Sequence, residues 1–565
     1  NCAIAYENIA NINFLENKNS KALLNYQKAL NIYVNKLNNK NVIFCKLYNN
    51  IADVYKKTKN IKQAQYYYQK SLCCNLKDFC NTSNYENLLK NSSYLSWNEL
   101  LRTLYNEAII IENTDCFTSL KLYIAADEII NKIKNSIFNQ TDKVYSKNQT
   151  SNIYKSATEL CFKISKICNE DSVDYYINLA LYFSEKNKSS LLVESINDQR
   201  AKYFADIPDS LLLQEQELEY NISFYQNLVA KNPDSVAFRL KLLEEDKKLQ
   251  EWIQTVEKKY PKYYELKYKN CDIQIKDVQA LLDSSTVVVS YTICNENLFF
   301  FLISKNEYYV YSVELFDSLN NLVFNLVNSI SNLENLQKDF NNNSNINVSV
   351  YQGVSRVLYR LLFPVFMVDF LKKQNTTDLI IIPDGQLNRI PFETLLTEEY
   401  SAKWIGWNNK TYFSEMPFLI KKYNISYSYS LNLWVQTQKI QQTSNDYDWI
   451  GFAPVFDDES ISGTTEYSRQ ILGKDQSNNT RSFLNGYYIT PLPGRKEEVV
   501  SIYDLFNKYD KKAIYKSNSN ANESSIKSEE LKKFNIVHLA THGKVDEKEP
   551  ELSFILFAQD TTLKN

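Results

Sequence analysis

Residues 535–543 read NIVHLATHG, an apolar run closed by glycine. As a strand it places Ile536, His538, Ala540 and His542 on one face, with Val537, Leu539 and Thr541 on the other. It is one of a series. STVVVSYTI (285–293), NLFFFLIS (297–304) and EYYVYSVEL (307–315) are β-rich and separated by short polar turns, a strand meander. DLIIIPDG (378–385), NISYSYS (424–430), DWIGFAP (448–454) and LSFILFA (552–558) each run into a turn. Helix-like stretches lie between them, such as SRVLYRLLFPVF (355–366) and RKEEVVSIYDLF (495–506). The alternation predicts an α/β domain from about residue 278, with a mainly parallel sheet covered by helices on both faces. The polar stretch 457–482 reads as a long loop.

Upstream the composition changes. All nine glycines lie at or beyond Gly353, and all eleven prolines at or beyond Pro208. Gly and Pro are the strongest interruptions of helix, so residues 1–207 are predicted to be helix joined by polar turns. An internal repeat supports this. Ala10, Ala22, Tyr26 and Ala29 recur 42 residues later as Ala52, Ala64, Tyr68 and Ser71, and a weaker third copy places Ser119, Tyr123 and Ala126. Small residues let antiparallel helices approach closely, and the aromatic fills the gap to the next helix. The pattern resembles the tetratricopeptide repeat, whose usual period is about 34 residues; lengthened helices around the NKLNNKN turn (35–41) account for the excess. Such arrays bind partner proteins on a concave face. Residues 151–277 stay helical without the repeat; LLLQEQELEY (211–220) and KLLEEDKKLQEWIQTVEKKY (241–260) form a hairpin broken near 231–235 and stopped by Pro261. The expected domains are therefore 1–150, 151–277 and 278–565.

Composition removes several classes of function. No GxxxxGK[ST] or GxGxxG occurs, which argues against P-loop and dinucleotide sites and leaves no cofactor to expect. Lys and Arg number 64 against 66 Asp and Glu, so no basic surplus calls for nucleic acid. No apolar run approaches the roughly 18 residues that span a bilayer. The ten cysteines are irregularly spaced with no CxxC pair, and read as free thiols in a reducing, cytoplasmic setting. The chain opens on Asn and shows no signal-like segment, so it reads as an internal fragment whose targeting segment, if any, has been lost.

The chemistry rests on the two histidines, His538 and His542. Four residues along a strand span about 13 Å, too far for both rings to reach one zinc at about 2.0–2.1 Å. A helical HExxH site fails because position 539 is Leu, so no metal is expected. His538 is expected to be a buried structural donor, and His542 to sit at the carboxyl end of its strand, where open parallel sheets hold their sites.

PDGQLNRIPFETLL (383–396), SYSYSL (426–431), GFAPVF (451–456), LPGRKEEV (492–499) and VHLATHG (537–543) occur in that order. Together they resemble the CHAT domain, a caspase- and separase-related cysteine peptidase family often fused to tetratricopeptide repeats. The resemblance implies that His542 is the general base of a Cys–His dyad and that the backbone N–H of Gly543 belongs to the oxyanion hole. The family's nucleophile follows the histidine by several tens of residues. Here the last cysteine is Cys294, in the early meander, so the catalytic cysteine is expected downstream of Asn565 or not at all. The fragment itself is expected to be inactive. The implied function is a regulated cysteine endopeptidase acting on a protein or peptide substrate, with the repeats as sensor or dock. Some relatives act in bacterial defence, which implies partner-triggered activation. The alternative is a non-catalytic scaffold that binds protein partners. Asp384 and Gly385 are expected to form a turn, Glu393 to cap or pair within a following helix, and Glu497 and Glu498 to lie in a first helical turn.

Overall fold

The computed structural model describes residues 2–36, 41–76, 94–134, 140–188, 195–198, 201–202, 207–232, 235–267, 273–315, 318–332, 338, 341, 346–400, 414–438, 448–454, 482–484, 487–489, 494–544 and 553–558. Most of the expected loop 457–482, the centre of the 35–41 turn, part of the 231–235 break, Cys80 and Cys271 lie outside the described residues. The chain divides into two units: residues 1–217 with 246–439, and residues 218–245 with 440–565.

Among the described residues the first unit begins with the helices α1 (Cys2–Leu15), α2 (Asn19–Val34), α3 (Val42–Lys57), α4 (Ile61–Asn75), α5 (Trp97–Ile111), α6 (Cys116–Lys134), α7 (Gln140–Ser165) and α8 (Glu170–Asn187). The repeat is visible in the backbone itself. Asn17 and Lys59, 42 residues apart, both adopt the left-handed conformation, with φ of 62° and 60°. Behind them Lys18 N–H reaches Asn13 C=O at 2.8 Å, and Asn60 N–H reaches Tyr55 C=O at 2.9 Å. These are matching helix C-caps, made without glycine. The side chains match as well: the Tyr26 hydroxyl donates to Asn11 Oδ1 and the Tyr68 hydroxyl to Asp53 Oδ1. Ala10, Ala22, Ala29, Ala52, Ala64 and Ser71 are fully buried, as are Ser119, Tyr123 and Ala126 of the third copy.

The array's last hairpin covers a sheet. Strands β1 (Thr286–Cys294), β2 (Asn297–Ile303), β3 (Tyr308–Glu314), β4 (Asp378–Ile382) and β5 (Asn424–Tyr427) lie in the order β3-β2-β1-β4-β5. β1–β2 and β2–β3 are antiparallel, whereas β1–β4 and β4–β5 are parallel. Alternate residues of β1 enter different cores. Val287, Val289 and Tyr291 meet the helices Leu319–Ser331, Ile346–Leu362 and Val365–Lys373. Val288 and Cys294 meet α7, α8 and the helix Leu431–Gln438. On that second face the polar positions of β1 find polar partners. Ser184 and Thr292 hydroxyls stand 2.6 Å apart, and Lys188 Nζ donates to Ser290 Oγ at 2.6 Å. Glu159 of α7 accepts from the Asn295 and Asn297 amides around the β1–β2 turn, and Phe162 packs edge-on against Phe299. The helices Asp209–Lys231 and Val236–Lys259 flank the expected break, and Pro261 opens the next helix. Among the described residues no helix is long and apolar enough to cross a membrane.

In the second unit, β6 (Trp449–Ala453), β9 (Ala513–Ser517) and β10 (Ile536–Leu539) form a parallel sheet in the order β10-β6-β9. Two short antiparallel pairs accompany it: β7 (Ser482–Leu484) with β8 (Tyr487–Ile489), and β11 (Gly543–Lys544) with β12 (Phe554–Ile555).

Candidate active site

β6 is the buried centre of its sheet and fixes the frame. Trp449 and Ala453 pack with Val499 of the helix Arg495–Lys508, while Ile450 and Phe452 pack with Ala521 on the opposite face. Between them Gly451 must be glycine. A Cβ there would stand 2.3 Å from Trp449 Cη2 and 2.9 Å from Val499 Cγ1, because the indole folds over that position.

His538 is the register partner of Gly451 on the neighbouring strand. Its ring centroid lies 6.0 Å from that of Trp449, and its Nε2 lies 3.0 Å from Glu498 Oε1. The expectation of a buried donor needs correcting: the His538 side chain is 29% exposed and its partner 54% exposed. The reason is position. β10 has a strand neighbour on one side only among the described residues, and Val537 and Leu539 on its other face are exposed as well. Glu497 and Glu498 do lie in the first turn of their helix, where the dipole favours carboxylates. The Glu498–His538 pairing was not read from the sequence, because nothing in the spacing of 40 residues signals it.

The strand alternation does not extend to His542. β10 ends at Leu539, and Ala540 N–H donates the last sheet bond, to Phe452 C=O at 2.9 Å. The chain then turns to β12. Thr541 Oγ1 donates to Leu556 C=O at 2.6 Å, and Leu556 N–H donates to His542 C=O at 2.9 Å. His542 is half-buried, three residues past the carboxyl end of β10, with its C=O held by Leu556.

Those bonds also orient Gly543. It pairs with Ile555, and the Leu556-to-His542 bond makes this the non-hydrogen-bonded pair of the ladder. In such a pair the N–H points away from the partner strand. The Gly543 N–H is thus a backbone donor turned away from β12, one residue after the histidine. A Cβ at 543 would meet only ordinary contacts, Phe554 C=O at 3.7 Å and Ile555 Cγ1 at 4.0 Å. The fold itself does not demand glycine here.

The other motif residues serve the first unit. Asp384 accepts the Ile293 N–H at 2.8 Å, tying the turn after β4 to the end of β1, and Gly385 adopts a positive φ of 52°. Glu393 is not paired within a following helix. It lies within a single turn of 3-10 helix, Phe392–Thr394, and accepts from the Tyr427 hydroxyl at 2.6 Å. Burial and the Glu393 carboxylate together push the Tyr427 phenol above its ordinary value.

The buried thiols Cys45, Cys161 and Cys294 lack a nucleophile's environment. Burial holds the Cys294 and Cys161 thiols well above their ordinary value, the opposite of the depression a thiolate needs. The Cys45 thiol is raised by its contact with Cys74, their sulfurs 3.1 Å apart, and by burial.

A search of curated proteins finds no match to this chain. The matched family span begins within the helix Ile346–Leu362, downstream of β1–β3, although β1 is hydrogen-bonded to β4 inside that span. Residues 352–564, which hold His542 and Gly543, match the family model of the CHAT domain.

Proposed function

We propose that the protein is a cysteine endopeptidase of the CHAT type, with His542 as general base and the Gly543 N–H as an oxyanion donor. The CHAT match carries this reading; the placement of His542 beyond a parallel strand, beside an outward-turned backbone donor, supports it. In the reaction His542 takes the thiol proton of the nucleophilic cysteine. The thiolate attacks the peptide carbonyl, whose oxygen gathers charge against the Gly543 N–H. Collapse forms a thioester and releases the amine with the proton from His542. Water, deprotonated by the same histidine, then frees the acid and restores the thiol. The helical array, tetratricopeptide-like in its repeated Ala and Tyr positions, docks the protein that is cut or that switches the enzyme on. The domain limits 1–150, 151–277 and 278–565 and a cytoplasmic setting belong to the same proposal. The test is cleavage of a peptide library by the full gene product. Loss of cleavage in His542→Ala supports the dyad. Cleavage that survives that substitution refutes it, and a full-length product that cuts nothing points instead to a scaffold.

A further inference from the structure

A cleft of about 630 Å³ opens in the first unit at the carboxyl ends of β1 and β4. Ligands of open α/β sheets bind at this edge of parallel strands. The volume falls within the roughly 300–1,000 Å³ of small-molecule sites. Two lysines line it from the array side. Lys155 stands one helical turn after Ser151 on α7, so both face the cleft, and it has no ion-pair partner among the described residues.

Lys188 follows α8, with its side chain only 2% exposed. Its ammonium donates to Ser290 Oγ at 2.6 Å. Its carboxylate partner, Glu185, stands back at 3.5 Å. A charge-assisted bond closes to about 2.7–2.9 Å, so this neutralisation is loose. The other Glu185 oxygen, Oε2, accepts from the Asn432 N–H at 3.1 Å, and burial of the carboxylate disfavours its charged form. A buried ammonium so weakly compensated is costly unless something else meets it. The lining carboxylates do not. Asp384 is committed to the Ile293 N–H, and Glu296 sits at the exposed rim. Asn320, Gln386 and Tyr429 supply neutral hydrogen-bonding groups.

We propose that this cleft binds a small phosphate monoester of nucleotide size, its phosphate held by Lys155 and Lys188 and its neutral body by Asn320, Gln386 and Tyr429. An ammonium is a point charge without the planar fork that selects carboxylates, and phosphate oxygens accept from it in any direction. The volume exceeds what a lone phosphate fills, which leaves room for a nucleoside-sized body. The occupant would touch both the array and the sheet.

Calorimetric titration of the 565-residue chain tests this, with AMP, inorganic phosphate and adenosine as probes up to about 10 mM. AMP should bind, inorganic phosphate should compete with it, and adenosine should bind at least about tenfold more weakly. Lys155→Gln, at a half-buried position, should weaken AMP about tenfold while its circular dichroism is unchanged; Lys188→Met is the second variant. No AMP binding, or binding unchanged in Lys155→Gln, overturns the site. Binding of phosphate with exclusion of AMP overturns the nucleotide-sized occupant. None of these outcomes depends on peptidase activity.

Discussion

Gly451→Ala should unlatch the sheet that carries His538 and leads into His542. The new methyl would lie 2.3 Å and 2.7 Å from two atoms of the Trp449 ring and 2.9 Å from Val499 Cγ1. Overpacking of this kind costs about 1–3 kcal/mol. The indole, 2% exposed, cannot yield without leaving Phe506, whose ring centroid is 5.8 Å away. Exposing even about 50 Å² of it would add roughly 1 kcal/mol at about 25 cal/mol per Å². The expected loss is therefore about 2–4 kcal/mol, read as faster amide exchange in β6, β9 and β10. Trp449→Phe removes the two clashing ring atoms, so Gly451→Ala should cost at least about 1 kcal/mol less in that background than alone. A single variant within about 0.5 kcal/mol of the parent, or strict additivity of the two, would refute the reasoning.

Four further outcomes follow. Gly543→Ala, which meets only ordinary contacts, should change stability by less than about 0.5 kcal/mol, yet slow full-length cleavage about tenfold or more by crowding the substrate backbone; circular dichroism and peptide kinetics separate the two effects. Ile51→Ala should cost about 2–5 kcal/mol in urea unfolding, whereas Ile9→Ala at the same repeat position should cost under about 1, because Ile51 is fully buried and Ile9 is 46% exposed. Burial raises the Tyr26 phenol to about 12, so its folded form holds a proton that the unfolded chain has already lost between pH 10 and 12. Stability contributed there is complete below pH 10 and falls through that window by up to about 2.5 kcal/mol, a slope that Tyr26→Phe should flatten in alkaline melts. Arg102→Met should destabilise the array by about 3 kcal/mol by stripping Asp53 of its cation, while Tyr68→Phe, which leaves that ion pair intact, should cost about 1 kcal/mol; thermal unfolding distinguishes them.

The array was legible because its signal is periodic: Ala10, Tyr26 and their partners 42 residues on occupy equivalent buried places. The caps at Asn17 and Lys59 were not, since a left-handed residue other than glycine leaves no mark in composition. The strands were legible from their apolar runs, but the cover on one face of β1 was missed. Ser290 and Thr292 were the available clue, because polar residues at alternate places in a buried strand require polar partners. At the site, His542 and Gly543 stood out by motif. The two-residue pairing that turns the Gly543 N–H outward depends on β12, whose contact with β11 no local pattern encodes.

The hairpin α7–α8 has a consequence for how the protein is made. Phe299, Phe301 and Ile303 bury against the core that this hairpin helps to build. On the ribosome the hairpin is complete at Asn187 and β1 begins only at Thr286, so the cover is waiting when the sheet is extruded. A version begun at residue 278 would instead release a naked apolar strand face into the cell. Exchanging one array for another between proteins would meet the same obstacle unless Ser184, Lys188 and Glu159 travelled with the strands they bind. The repeats are thus less a detachable accessory than a scaffold laid down in advance for the sheet.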